Sequence, residues 1–292
     1  MSPLNDHQLR HPFALRYAAR LGKFTQLAGE DPIEQLRFIA DQGFTALEDS
    51  RMQERPVELQ ERLAREMERL GLTMGTFLAT ADFERPTFSS GREDLREKTL
   101  AELRAAVVVA RRLNARWFTV VPGTLDLRLP LGFQTANAVD LLRRCCDVCA
   151  PAGMVMIIEP LNAWVDHPGM FLSRVDQAYA LCKAVASPHC KLLGDIYHQQ
   201  ITEGNLLPTL ERAWDEIAYI QVADHPGRFE PTSGEINYRN VFRFLHRQGY
   251  TGLVGMEHGQ SLPGRAGELA VLQAYREIDP GRSDPMALAP AP

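Results

Sequence analysis

Four oxygen-bearing side chains close four successive apolar segments in the second half of the chain: Glu159 after "MVMII", Asp195 after "KLLG", Gln221 within "AYIQVAD" and Glu257 after "LVGM". Carboxylates gathered at one point repel and raise one another's pKa unless a cation neutralises them. Two glutamates, an aspartate and an amide oxygen form a hard donor set that suits one Mg2+ or Mn2+ and leaves positions for substrate or water. Zinc suits it less well. One carboxylate at a strand end is commonly a helix cap or a loop salt bridge, so the repetition at four strand ends is what points to chemistry. His198 follows Asp195 by three residues, an offset that could place it over the same mouth. Arg228, in the loop "HPGRFEPTSGEINY", is placed either to bind a polar substrate or to pair with Glu230 or Glu235. Asp224 and His225 lie just beyond Gln221, and His225 and His258, which adjoin the candidate ligands, read as loop or supporting residues.

The elements that must position these groups alternate regularly. "FALRYAARL" reads as a first strand, and "DPIEQLRFIADQG" as a helix with Asp31 as N-cap, Pro32 at the first turn, Glu34 closing a capping box and Gly43 at the stop. Further apolar runs at "TALED", "TMGTFLA", "RWFTVVPG", "MVMIIEP", "KLLGD", "AYIQVAD" and "GLVGMEHG" read as strands two to eight, each followed by an amphipathic segment. Strands that are apolar on both faces belong to a parallel sheet covered by helices. No G-x-G-x-x-G turn follows the first strand, which disfavours a doubly wound nucleotide-binding sheet. The predicted fold is therefore α/β, a single (β/α)8 TIM barrel over residues 1–278, with a flexible tail over 279–292. In such a barrel functional groups sit where strands end and loops begin.

Composition narrows the classes. The 32 basic and 37 acidic side chains are mixed along the chain and leave a net charge of −5, so no broad cationic surface offers itself to nucleic acid. No apolar run approaches the roughly 20 residues needed to span a bilayer, and the first residues lack a signal-peptide core; the expected localisation is cytoplasmic. An odd cysteine count of 5 is no disulfide framework. Cys145 and Cys149, one helical turn apart, lack nearby partners for zinc and read as buried core. The oligomeric state stays open, with a homo-oligomer allowed.

The blocks "IIEPLN", "DHPGMFLS", "GDIYHQQITEGNL" and "YIQVADHPGRFEPTSGEINYRNVFRFLHRQGYTGLVGMEHG" resemble the hydroxypyruvate isomerase family of xylose isomerase-like barrels, most strongly from Glu159 to Gly259. The resemblance implies that Glu159, Asp195, Gln221 and Glu257 bind one divalent cation, that Glu159 and Glu257 form the acid/base pair, and that His198 and Arg228 contact substrate oxygens. A small keto acid or sugar is then the expected substrate. Proton transfer through an enediolate, stabilised by the cation, would interconvert an α-hydroxy aldehyde and ketone; returning the proton to the opposite face would give an epimerase instead. Related ketose 3-epimerases carry a glutamate six residues after the strand-five ligand and a histidine at the strand-seven position. This chain has Val165 and Gln221 there, which favours the isomerase branch, whereas His258 departs from the aromatic residue that branch carries. Three other functions fit the residues less well. A metal phosphodiesterase would need more histidines, a hydride-shift isomerase would need a lysine better placed than Lys191, and a non-catalytic sugar-binding barrel would need no paired glutamates.

Overall fold

Runs of two to six largely apolar residues form the strands of this protein, whose computed structural model describes residues 13–281. Among the described residues the strands are β1 (Arg16–Arg20), β2 (Ala46–Glu48), β3 (Thr73–Met74), β4 (Leu78–Ala81), β5 (Trp117–Val121), β6 (Val155–Ile158), β7 (Cys190–Asp195), β8 (Ile217–Gln221) and β9 (Leu253–Gly255). The residues group into two compact units. One comprises 13–49, 62–75 and 221–281 of the described chain; the other comprises 50–61 and 76–220.

In the first unit the strands run in the order β3, β2, β1, β9, all parallel, with Ala18 opposite Ala46 and Tyr17 opposite Val254. Helix Pro32–Asp41 starts as expected: the Asp31 carboxylate accepts from Ile33 N at 2.9 Å, with Pro32 behind it. Glu34, expected to close a capping box, instead holds Arg37 at 2.6 Å. Helices Tyr238–Arg247 and Gly264–Ile278 turn Phe242 and Tyr275 inward. There Tyr17 meets Tyr275 edge-on at 4.9 Å, and Phe44 and Phe13 stack at 5.4 Å, an aromatic core under β1. Asp279, at the start of the predicted tail, accepts from Ala14 N at 2.9 Å and Tyr17 Oη at 2.8 Å. Burial, then Asp279, pushes the Tyr17 phenol well up. The rest of the tail, from residue 282, lies outside the described residues.

In the second unit the order is β4, β5, β6, β7, β8, with parallel pairing throughout β4 to β7; Val120 lies opposite Ile158, and Ile158 opposite Leu192. Helices Glu93–Arg112, Leu131–Cys149 and Val175–Val185 cover it. All five cysteines are reduced and buried. Burial pushes the Cys149 thiol up to about 12 and that of Cys145 well up, the reverse of what a thiolate ligand needs.

Two elements differ from the sequence reading. "TMGTFLA" is not one strand: β3 pairs with β2, whereas β4 pairs with β5 after a break at Gly75–Phe77, where Gly75 N donates to Leu47 O at 2.7 Å and Phe77 O accepts from Thr119 N at 2.8 Å. The sequence reading placed no element directly after Asp195, whereas the chain forms helix Ile196–Thr202 there, buried at Ile196, Tyr197, His198 and Gln199. No described helix is long and apolar enough to cross a membrane.

Candidate active site

In the second unit the strand ends carry Glu159 and Asp195. The ladder continues one residue beyond β6, with Glu159 N donating to Val120 O at 3.3 Å, so the Glu159 side chain stands at the mouth of the parallel strands while remaining only 6% exposed. Asp195 is both the last residue of β7 and the N-cap of the helix that follows: its Oδ1 accepts from His198 N at 2.9 Å. That cap brings His198 back over the strand end. One ligand atom each from Glu159, Asp195 and His198 lies within 4.8 Å of the others, and all three residues are buried. His198 Nε2 stands 3.8 Å from Glu159 Oε1. On the far side of the ring, Nδ1 receives Asn162 N at 3.2 Å and the Asn162 amide at 2.7 Å. Gln199 points its amide to Leu206 O at 3.3 Å, joining the two short helices that follow β7.

The first unit carries the other candidates. Gln221 donates through Nε2 to Glu48 Oε1 at 2.7 Å, while its Oε1 is buried with no hydrogen-bond partner among the described residues. Glu48 therefore decides which end of the amide is free to bind a ligand. Gly255 makes room for this pair, because a side chain there would run into Glu48 Oε2 and the Gln221 Cγ. Arg228 pairs with Glu257 Oε2 at 2.9 Å rather than with Glu230, whose carboxylate accepts from Ser261 N at 2.8 Å. Asp224, fully buried, shapes the loop that presents Arg228: its oxygens accept from His225 N at 2.9 Å, Gly234 N at 2.9 Å and Ile236 N at 3.0 Å. Arg228 itself takes a left-handed backbone, φ 55°.

His258 bonds Tyr275 Oη at 3.0 Å, and burial followed by the Lys23 charge holds its pKa well below the ordinary histidine value. Lys23, which the sequence did not single out, is 8% exposed and donates to the carbonyls of His258 and Gly259. Burial, reinforced by Arg20 and opposed by Glu230, Glu257 and Glu48, lowers its pKa from 10.5 to about 8. Between those values the unfolded chain binds more protons at this lysine than the folded one, so stability rises with pH across that window. At about 1.4 kcal/mol per unit the shift corresponds to roughly 3 kcal/mol. Urea unfolding of the parent and of Lys23→Met is expected to show the parent gaining about that much relative to the variant from below pH 8 to above pH 10.5. A flat difference would mean that the lysine is not held as described.

The structure thus brings Glu159, Asp195 and His198 together, and in the other unit joins Arg228 to Glu257 and Gln221 to Glu48. The grouping of Glu159, Asp195 and His198 could hold a metal ion. Carboxylate oxygens are grouped and buried, and the one amide oxygen proposed as a ligand is left without a protein partner by the way Glu48 holds it. Besides Lys23, the sequence reading missed Glu48 and Asn162. Glu48 ends β2 in "TALED", at the position that the same strand-end rule addresses.

Parallel strands with carboxylates at their ends define the barrel class to which the comparisons also lead. The profile of the xylose isomerase-like TIM barrel family matches residues 36–276, and the chain belongs to that family and, within it, to the hydroxypyruvate isomerase group. A hydroxypyruvate isomerase of Escherichia coli is 34% identical over 176 residues, 59% of this chain and 66% of that protein. A 2-oxo-tetronate isomerase of Pectobacterium atrosepticum is 30% identical over 232 residues, 77% of this chain and 86% of that protein. Among solved structures, a Brucella melitensis protein described as a family 2 AP endonuclease superposes with TM-score 0.74 at 27% identity, covering 89% of this chain and 99% of that one.

Proposed function

We propose that the protein is a divalent-cation-dependent isomerase of a small α-hydroxy carbonyl acid, interconverting hydroxypyruvate and tartronate semialdehyde or a related 2-oxo-tetronate pair. The observation that carries this reading is the buried grouping of Glu159 and Asp195, at strand ends, with His198 on the helix that Asp195 caps, in a chain of the hydroxypyruvate isomerase group. Glu159, Asp195, Gln221 and Glu257 would hold the cation, Mg2+ or Mn2+. When bound, it would stabilise the negative charge that develops on the substrate oxygens as the neighbouring C–H loses its proton. Glu159 and Glu257 are the acid/base pair: one carboxylate takes the proton from the hydroxyl-bearing carbon and one delivers a proton to the adjacent carbon. Arg228, anchored through Glu257 Oε2, and His198 hydrogen-bond the two substrate oxygens, between which the hydroxyl proton passes as carbonyl and hydroxyl exchange roles.

The test is a panel of hydroxypyruvate, tartronate semialdehyde, 2-oxo-tetronates and free ketoses with Mg2+ or Mn2+, run in D2O. Isomer formation with solvent deuterium at the new C–H is expected. Turnover without label would replace proton transfer by hydride transfer. A preference for ketohexoses would replace isomerisation by epimerisation, although Val165, 62% exposed, stands where 3-epimerases carry a glutamate. The name of the Brucella protein raises phosphodiester cleavage as another activity. A net charge of −5 works against a polyanionic ligand, and no nicking of abasic DNA is expected.

A further inference from the structure

We propose that Asn162 is a positioning residue that fixes the tautomer of His198. It leaves the hydrogen on Nε2, so that His198 acts as a hydrogen-bond donor beside Glu159 and not as a ligand to the cation. The inference rests on the proposed reading of the site for its consequence in turnover, but the tautomer itself follows from geometry alone.

The orientation of the Asn162 amide is fixed first. Its Oδ1 accepts from two consecutive backbone groups, Val165 N and Asp166 N, each at 3.1 Å. With the oxygen so placed, Nδ2 faces the other way, and both its hydrogens have acceptors: Asp166 Oδ2 at 2.7 Å and His198 Nδ1 at 2.7 Å. Rotating the amide by half a turn would set its hydrogens against two N–H groups and its oxygen against a carboxylate. The backbone of Asn162 adds a second donor to the same ring nitrogen, N to Nδ1 at 3.2 Å. A nitrogen that receives two N–H groups must offer a lone pair, and in a neutral imidazole the hydrogen then sits on the other nitrogen. Asn162 is fully buried and His198 is 1% exposed, so water does not replace these contacts cheaply.

The consequence falls on the opposite side of the ring. Nε2–H faces Glu159 Oε1 across 3.8 Å, too long for a direct hydrogen bond and suited to a ligand oxygen set beside the carboxylate. A metal-binding imidazole nitrogen must be free of hydrogen. To serve as a ligand, His198 would have to move its hydrogen onto Nδ1, where both Asn162 donors stand. The three-residue grouping with Glu159 and Asp195 thus divides into two oxygen ligands and one donor, which favours Mg2+ or Mn2+ over zinc.

The experiment is long-range 15N–1H correlation on protein labelled in its histidine rings, with the His198 signals assigned by their loss in His198→Gln. Without added metal, Nε2 is expected to carry the hydrogen and Nδ1 to show the signature of an accepting nitrogen, and added Mg2+ is expected to leave that pattern in place. In Asn162→Ala only the backbone N–H is left to hold Nδ1, so a second tautomer with the hydrogen on Nδ1 is expected to become populated, with kcat lowered about 10–100-fold and KM moved much less. A hydrogen on Nδ1 in the parent protein, or an Nε2 signal that shifts to a coordinated nitrogen on adding Mg2+, would overturn the proposal. The parent spectrum needs no variant to fold. If it gives the expected tautomer while no compound in the panel is turned over, the tautomer assignment stands and the isomerase reading fails.

Discussion

Glu257→Gln is expected to lower kcat for the preferred α-hydroxy carbonyl substrate by about 10²–10⁴-fold, the range of a lost general acid or base. Glutamine keeps the length of the side chain and an oxygen that can accept from Arg228, so the loop carrying that arginine keeps its anchor. The side chains of Arg228 and Glu257 are 31% and 19% exposed, and a partly solvated pair contributes about 1 kcal/mol or less, so the unfolding midpoint should barely move. What the variant loses is a carboxylate able to take a proton. Steady-state kinetics beside thermal unfolding separates the two effects. Glu159→Gln should behave alike, because the reaction needs one group on each side of the transfer. A variant that keeps parental kcat with normal stability would remove Glu257 from the acid/base pair.

The strand ends were legible in the sequence for a physical reason. A strand covered on both faces must be apolar almost throughout, so the first polar residue after such a run marks its mouth. Glu159 and Asp195 were found that way, and they lie where the rule puts them, buried at the ends of β6 and β7. Helix caps with local chemistry were legible too, as Asp31 and Pro32 illustrate.

What was not legible depends on contacts between segments far apart in the chain. "YHQQ" after Asp195 has the composition of a turn. It is a helix because Asp195 caps it and because Tyr197, His198 and Gln199 are buried by neighbours that the local sequence does not name. The break inside "TMGTFLA" is invisible in composition, since both pieces are apolar; only their different partners, β2 and β5, divide it. Lys23 and Asn162 were missed for the same reason. A lysine in a loop reads as solvated, and an asparagine three residues after a glutamate reads as a turn former, until burial and partners 235 and 36 residues away are known. Glu48 is different: it ends a strand, but at three residues β2 is too short an apolar run to mark its own mouth.

Asp195 carries two jobs that one substitution can separate. As the N-cap of Ile196–Thr202 it accepts from His198 N, and as a candidate ligand it supplies negative charge. Asparagine is as good an N-cap as aspartate, whereas removing the cap with alanine costs about 1 kcal/mol. Asp195→Asn should therefore leave stability within about 0.5 kcal/mol of the parent, while Asp195→Ala loses about 1 kcal/mol or more. For Mg2+ or Mn2+ the ranking differs, because both variants lack the carboxylate that a hard cation prefers. Titration calorimetry on metal-free protein should find affinity lowered by at least about 100-fold in each, since losing even an outer partner of a ligand costs 10–100-fold. Because the readout is binding, it does not depend on which substrate is turned over. Parental affinity in a stable Asp195→Asn would reduce Asp195 to a helix cap, the single-residue explanation that the four strand ends together argue against.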